Sequence, residues 1–284
     1  TRSDRDWSSD VCSSDLAGQN RILAKNGMLL LAEAPRPGIH ALKEVCNHNP
    51  KAALTASQVT FGLAPRINAA GRMGRPDAAL SLLLAPDLDT ARPLAAELDA
   101  ENARRRAEED AILAEAMAQA EAGPDRFGLT LYAPHWHQGV IGIVASRVAE
   151  RRNRPTLILT SDPAKGLLKG SGRSIENCDL HGLLCEIADV LQGFGGHKQA
   201  AGLSILPENL DALGRAFDAA AARVLGPTVP PPTLRLDGEL SFGEVTAALV
   251  REIGLLEPFG CGNPEPLFAS PPVSVLSRRV FGAN

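Results

Sequence analysis

The hydrophobic and polar positions change rhythm once along this chain, near Gly123-Pro124. Before that point the spacing is helical. "NRILAKNGMLLLAEA", Asn20 to Ala34, predicts a helix that "PRPG" breaks, and "IHALKEV" predicts a second, short one. Thr55 is placed to cap "ASQVTFGLA", and Pro76 to open "PDAALSLLLA" as a first-turn proline. The Ala-, Glu- and Arg-rich stretch from Leu88 to Gly123 predicts one long helix. At about 1.5 Å per residue it would be long enough to connect two domains.

Past Pro124, short apolar runs alternate with amphipathic segments. "FGLTLYA" and "PTLILTS" read as strands, with the helix "GVIGIVASRVAERR" between them. "LKGSGRS" reads as a glycine-interrupted strand or loop, and "DLHGLLCEIADVL" as an amphipathic helix. Then come "GFGGHK" as a glycine-rich loop, the strand "GLSIL" and the helix "ENLDALGRAFDAAAARVL". This alternation predicts an α/β fold, a sheet packed with helices. "GPTVPPP" is a stiff linker. After it, "LRLDGEL" precedes a helix expected to start at a capping box, Ser241-x-x-Glu244.

The composition narrows the class. The 284 residues suffice for two or three domains, and 44% hydrophobic with 22% charged residues reads as soluble and globular. No apolar run approaches a membrane span. Cys12, Cys46, Cys178, Cys185 and Cys261 are odd in number and lack metal-ligand spacing, which predicts reduced thiols and a cytoplasmic location. Cys178 and Cys185 are expected in the core. A net charge of −4 confines any polyanion site to a local patch.

Thr1 to Leu16, "TRSDRDWSSDVCSSDL", has no apolar period and no signal-peptide core. Its "DWSSDVCSSDL" matches one reading frame of a common sequencing adapter, so residues 1–16 are expected to be an adapter-like, non-native tail.

Candidate chemistry gathers in three stretches. In "GFGGHKQAAG", Gly195 and Gly196 let backbone N–H groups approach an anion, and His197 and Lys198 follow. In "KGSGRS", Ser171 and Arg173 lie in a glycine-spaced frame, and an arginine fork suits phosphate oxygens. In "APRINAAGRMGR", Arg66, Arg72 and Arg75 lie among small residues. From Arg147 to Arg173 there are seven Lys or Arg against two acids, an excess that suits a phosphate track. His135 and His137 stand two apart before a helix, but no carboxylate motif accompanies them, and they are expected to order a turn. No catalytic triad or carboxylate pair stands out.

These stretches, with "WHQGVIGIVASRVAERRNRPTLIL" and "LEPFGCGNPEPLF", resemble in order and spacing the RecJ family of single-stranded-DNA-specific exonucleases, within the DHH phosphoesterase superfamily. The resemblance runs from Ala17 to the end. It implies a C-terminal part of a DHH catalytic domain over residues 17–86, and a connecting helix over 87–123. A DHH-associated substrate-binding domain would follow over 124–226, then the truncated start of an oligonucleotide-binding β-barrel over 233–284. It also implies Mg²⁺ or Mn²⁺ chemistry in 5′→3′ degradation of single-stranded DNA during repair and recombination. The family's Asp and Asp-His-His metal motifs would lie upstream of Ala17, so no catalytic or metal-binding residue is assigned and the chain alone is expected to be inactive. The substrate-binding residues implied are Arg66, Arg72, Ser171, Arg173, Gly195, Gly196 and His197. Single-stranded DNA is the expected partner, with no membrane and no protein partner named.

Two other readings compete. One is a smaller DHH hydrolase of short oligonucleotides or nucleoside bisphosphates, against which "PFGCGNPEP" argues. The other is a non-catalytic single-strand-binding module.

Overall fold

The computed structural model describes residues 15–33 and 36–280. Most of the adapter-like tail, the Ala34-Pro35 end of the first predicted helix and the final "FGAN" lie outside them. The described residues form two compact units. One comprises residues 36–50 and 61–232, and the other residues 15–33, 51–60 and 233–280.

The helices come first in order: α1 (Gly18–Glu33), α2 (Pro37–Val45), α3 (Ala56–Gln58), α4 (Ala64–Arg72), α5 (Pro76–Leu83) and α6 (Leu88–Ala122). Thr55 caps α3 through a capping box with Gln58. The sequence pattern ends this helix at Ala64, but the helix path continues to Arg72 through a wide π turn, Val59–Leu63. Pro65 explains the widening. It offers no N–H to the carbonyl four residues back and would crowd it in a regular turn.

Helix α6 spans 35 residues, about 52 Å, capped by Asp87, which accepts from the Thr90 N–H. Its buried positions include Ala91, Ala95, Leu98, Asn102, Glu109, Ile112, Ala116 and Ala120, a stripe at helical spacing. The first half of that stripe meets α2, α4 and α5. The second half joins α7 (Ile141–Arg152) and β1 (Leu129–Tyr132) in a core that includes Leu113, Leu131, Val144 and Val148.

The sheet runs β1-β2-β3-β5-β4, with β2 (Thr156–Asp162), β3 (Leu167–Arg173), β4 (Gly193–Gly196) and β5 (Ala200–Ile205). Only β1 and β2 are parallel, joined over α7, and the other pairs are antiparallel. Its second core places Leu157, Leu159, Leu203 and Ile205 against α8 (Leu180–Glu186) and α9 (Leu210–Leu225). With one core on each face, β2 is buried along nearly its whole length, matching its continuous apolar run.

Two expectations change here. "GFGG" is not a loop but edge strand β4, paired with β5 from Gly193↔Ser204 to Gly196↔Ala201. Cys185 is exposed rather than core. Leu180, Leu183 and Leu184 fill the inner face of α8, so the next position turns outward.

In the second unit, β6 (Gly238–Glu239) pairs in parallel with β7 (Phe268–Ala269) as a small open sheet. The expected Ser241–Glu244 box forms only by half and starts no helix: the Glu244 carboxylate accepts from the Ser241 N–H and hydroxyl, while the Glu244 N–H donates to the Ser241 carbonyl, closing a turn. Helix α10 (Ala247–Gly254) begins later, capped by Thr246, which accepts from the Leu249 N–H. The Arg21 guanidinium of α1 donates to the Leu256 carbonyl at 2.6 Å, and the Leu16 N–H to the Cys261 carbonyl at 2.6 Å.

Candidate functional site

Strand β3 alternates its side chains between the two faces of the sheet. Leu168 enters the core with Leu203, and the positions of Gly170 and Gly172 face that same core. Lys169, Ser171 and Arg173 therefore share the opposite face. The start of α7 crosses directly over this face. A Cβ at Gly142 would lie 2.9 Å from the Ser171 hydroxyl and 3.3 Å from the Arg173 guanidinium, so glycine allows the helix to sit that close.

A second close approach brings in α4. A Cβ at Gly139 would fall 2.2 Å from the Arg72 carbonyl, and the Arg72 guanidinium donates back to the Gly139 carbonyl at 3.2 Å. His137 shapes the turn, its Nδ1 accepting from the Gly139 N–H at 3.1 Å. His135 and the Trp136 indole both reach Glu115, at 3.0 and 2.8 Å. The histidine pair thus orders the turn that enters α7.

The result is a cavity of 510 Å³ that brings together Arg72, Ser171 and Arg173, with Asn68, Gln138, Gly139 and Gly142. Arg173 is oriented from within β3: its guanidinium donates to the Ser171 hydroxyl at 3.2 Å and the Gly172 carbonyl at 2.8 Å. Burial, and then the like charge of Arg72, push its pKa below the ordinary arginine value. Two arginines that repel each other, with no carboxylate lining the cavity, form a place that an anion relieves. The first turn of α7 adds the positive end of a helix dipole.

Behind this wall lies a buried charge network. Glu109, 1% exposed, pairs with Arg105 at 2.5 Å and with Arg147 of α7 at 2.7 Å. Arg105 also donates to Asn102 at 3.1 Å. Burial lowers the Arg105 pKa, Glu109 opposes that shift, and the charge of Arg72 adds to it.

The remaining predicted site residues lie elsewhere. Arg66 donates to Asp99 at 2.7 Å and to the Gly62 carbonyl at 2.8 Å, pinning α4 to α6, and it does not line the cavity. Gly195 and Gly196 lie on β4, and His197 is exposed in the β4–β5 turn, its N–H donating to the Ala200 carbonyl. None of the three lines the cavity. The sequence reading missed Asn68, Gln138, Gly139 and Gly142. Their signal was faint: two glycines opening a helix after a histidine-rich turn.

A DHHA1 domain model matches residues 126–223, and a RecJ OB domain model matches residues 236–284. The chain is 40% identical over 282 residues to the single-stranded-DNA-specific exonuclease RecJ of Salmonella typhimurium, covering 94% of this chain and 48% of that protein. It thus spans about half the length of that curated relative. The crystal structure of RecJ from Thermus thermophilus in complex with Mg²⁺ is similar, with a TM-score of 0.79 and 37% identity over 89% of this chain and 39% of that one. Its complex with Mn²⁺ gives a TM-score of 0.80 at the same identity and coverage of this chain, and 37% of that one. The chain is thus similar to RecJ proteins over nearly its whole length, and matches the DHHA1 and RecJ OB domain models.

Proposed function

We propose that this chain supplies the part of a metal-dependent 5′→3′ single-stranded-DNA exonuclease that grips the phosphorylated 5′ end. The observation that carries the reading is the convergence of Arg72, Ser171 and Arg173 on one open cavity at the start of α7. Guanidinium forks, a hydroxyl and a helix N-terminus are the donors that suit a terminal phosphate. The role in repair and recombination that the family resemblance implies is part of the same proposal. Only this cleft needs to be basic, so a net charge of −4 is no obstacle.

The Mg²⁺ and Mn²⁺ of the Thermus structures imply a metal-assisted hydrolysis. Among the described residues no group of three or more His, Cys, Asp or Glu stands together. The residues present do not fit such a centre, and no hydrolytic step is assigned to them. Their part is to hold the end of the strand. Gly195, Gly196 and His197 are proposed to meet the strand beyond its phosphate, and the match to a RecJ OB domain favours single strands.

The test compares 5′-phosphorylated and 5′-hydroxyl single strands binding to the chain. Preference for the phosphate supports the reading, and equal affinity contradicts it.

A further inference from the structure

Strand β1 is one edge of the sheet, and its hydrogen bonds alternate between two sides. The Leu129 and Ala133 N–H groups donate inward, to the Pro155 and Leu159 carbonyls on the β2 side. The even-numbered residues turn outward, and side chains meet two of them. At Tyr132 the Gln119 carboxamide closes both bonds, Nε2 donating to the carbonyl at 3.1 Å and Oε1 accepting from the N–H at 3.2 Å. At the other end Asp218 accepts from the Phe127 and Gly128 N–H groups at 2.7 and 3.2 Å.

Thr130 lies between these caps. Alternation turns its N–H and C=O outward too, and no side chain among the described residues meets them. Its hydroxyl is buried without a partner as well. Three polar groups of one residue without a protein partner are uncommon in a native fold. They lie at a cavity of 390 Å³ between β1, the end of α6 and the start of α9, within the size range of small-molecule sites. It shares no lining residue with the end-binding cavity.

Gly214 of α9 keeps this space open. Glycine inside a helix is less favourable than alanine, and packing does not require it here. A Cβ at Gly214 would only touch the Arg126 guanidinium at 3.6 Å and the Thr130 Cβ at 3.9 Å. That methyl would fill the gap between the cation and the open edge. Arg126 and Arg215 both line the cavity and pair with no carboxylate among the described residues. Asp211 lines it too, and its carboxylate suits a sugar hydroxyl.

An added peptide strand needs successive pairs along an edge, and the two caps leave one. The opening instead fits a single planar group with a donor beside an acceptor, as the Gln119 carboxamide already is at Tyr132. The hydrogen-bonding edge of a nucleobase has that pattern, and guanidinium forks suit a phosphate. We propose that this cavity is a second ligand site, for a nucleoside 5′-monophosphate, with the base on the Thr130 N–H and C=O and the phosphate on Arg126 and Arg215. It stands independently of the end-binding reading.

The experiment is an amide-shift titration of the 284-residue chain carrying Arg173→Ala, which weakens phosphate binding at the other cavity. With deoxyadenosine 5′-monophosphate the shifts should centre on Thr130 and Gly214. Deoxyadenosine should bind there about tenfold more weakly, the scale of one charge-assisted contact. Adding Arg126→Ala should impose the same loss on the nucleotide and none on the nucleoside. The N6,N6-dimethyl nucleotide, which cannot donate to the Thr130 carbonyl, should lose as much. Gly214→Ala should abolish the shifts while the thermal midpoint holds or rises, because alanine favours the helix. No nucleotide shift at Thr130 and Gly214 overturns the proposal, as does binding that survives Gly214→Ala or is indifferent to Arg126→Ala. A stronger response to acetyl-glutamate methylamide, a blocked acidic peptide residue, also overturns it, in favour of a peptide.

Discussion

Arg72 and Gly139 are locked to each other twice, by the guanidinium donating to the Gly139 carbonyl at 3.2 Å and by a backbone approach that leaves no room for a Cβ. That contact positions Arg72 opposite Arg173. Gly139→Ala should cost about 1–3 kcal/mol through overpacking, because the obstructing atom is backbone and cannot swing aside. Thermal unfolding checks the loss. Binding of a 5′-phosphorylated strand should fall further than the stability change accounts for. A variant of unchanged stability and affinity would show that the two segments are not held this way.

Glu109 should be the most sensitive carboxylate in the chain. Its removal leaves Arg105 with an uncompensated buried charge, while the more exposed Arg147 keeps Asp110, and breaking a buried pair costs about 3–5 kcal/mol. Glu109→Ala is therefore expected to lower the denaturation midpoint sharply, and Glu109→Gln less so. A Glu109→Ala loss under about 1 kcal/mol would contradict this account of a buried network.

The α2–α6 contact should respond to acid. The Arg92 fork, at 3.0 and 3.1 Å, holds the Glu44 carboxyl below the usual carboxylate range, and His40 at 3.2 Å adds to that. A pKa depressed in the folded state contributes stability above the unfolded value, and that contribution is lost as pH falls through the folded value. The thermal midpoint should therefore drop as pH falls through and below the ordinary carboxylate range, and Glu44→Gln should flatten this part of the profile. An unchanged profile in the variant would show that the pair contributes nothing.

The chain alone should not degrade DNA. Incubated with 5′-labelled single strands and Mn²⁺, it should release no mononucleotide, because no metal-binding group stands among the described residues. Metal-dependent release that co-purifies with the chain would contradict this.

Local patterns carried much of the fold in advance. The stripe of α6, the apolar run of β2, the Thr55 cap and Pro76 all foreshadow their elements, because each depends on neighbours within a few residues. What depended on distant partners was less legible. "GFGG" reads as a loop from its glycines, yet β5 beside it supplies the ladder that makes it a strand. Arg66 and Arg72 look equivalent in "APRINAAGR", but Asp99 on α6 engages one and leaves the other facing the cavity. Arg104 is exposed but pairs with Glu101, so Arg151, exposed and without an ion pair among the described residues, is the cleaner control arginine.

The most direct measurement is the affinity of wild type and Arg173→Ala for the same single strand with and without a 5′-phosphate. The substitution should cost about 1–3 kcal/mol on the phosphorylated strand, the range for a charge-assisted hydrogen bond. Arg173→Lys should recover only part of it, since a point charge cannot grip with two donors. Arg151→Ala should change little. On the 5′-hydroxyl strand, Arg173→Ala should have almost no effect. Equal weakening on both strands would show that Arg173 does not read the end, and would contradict the account.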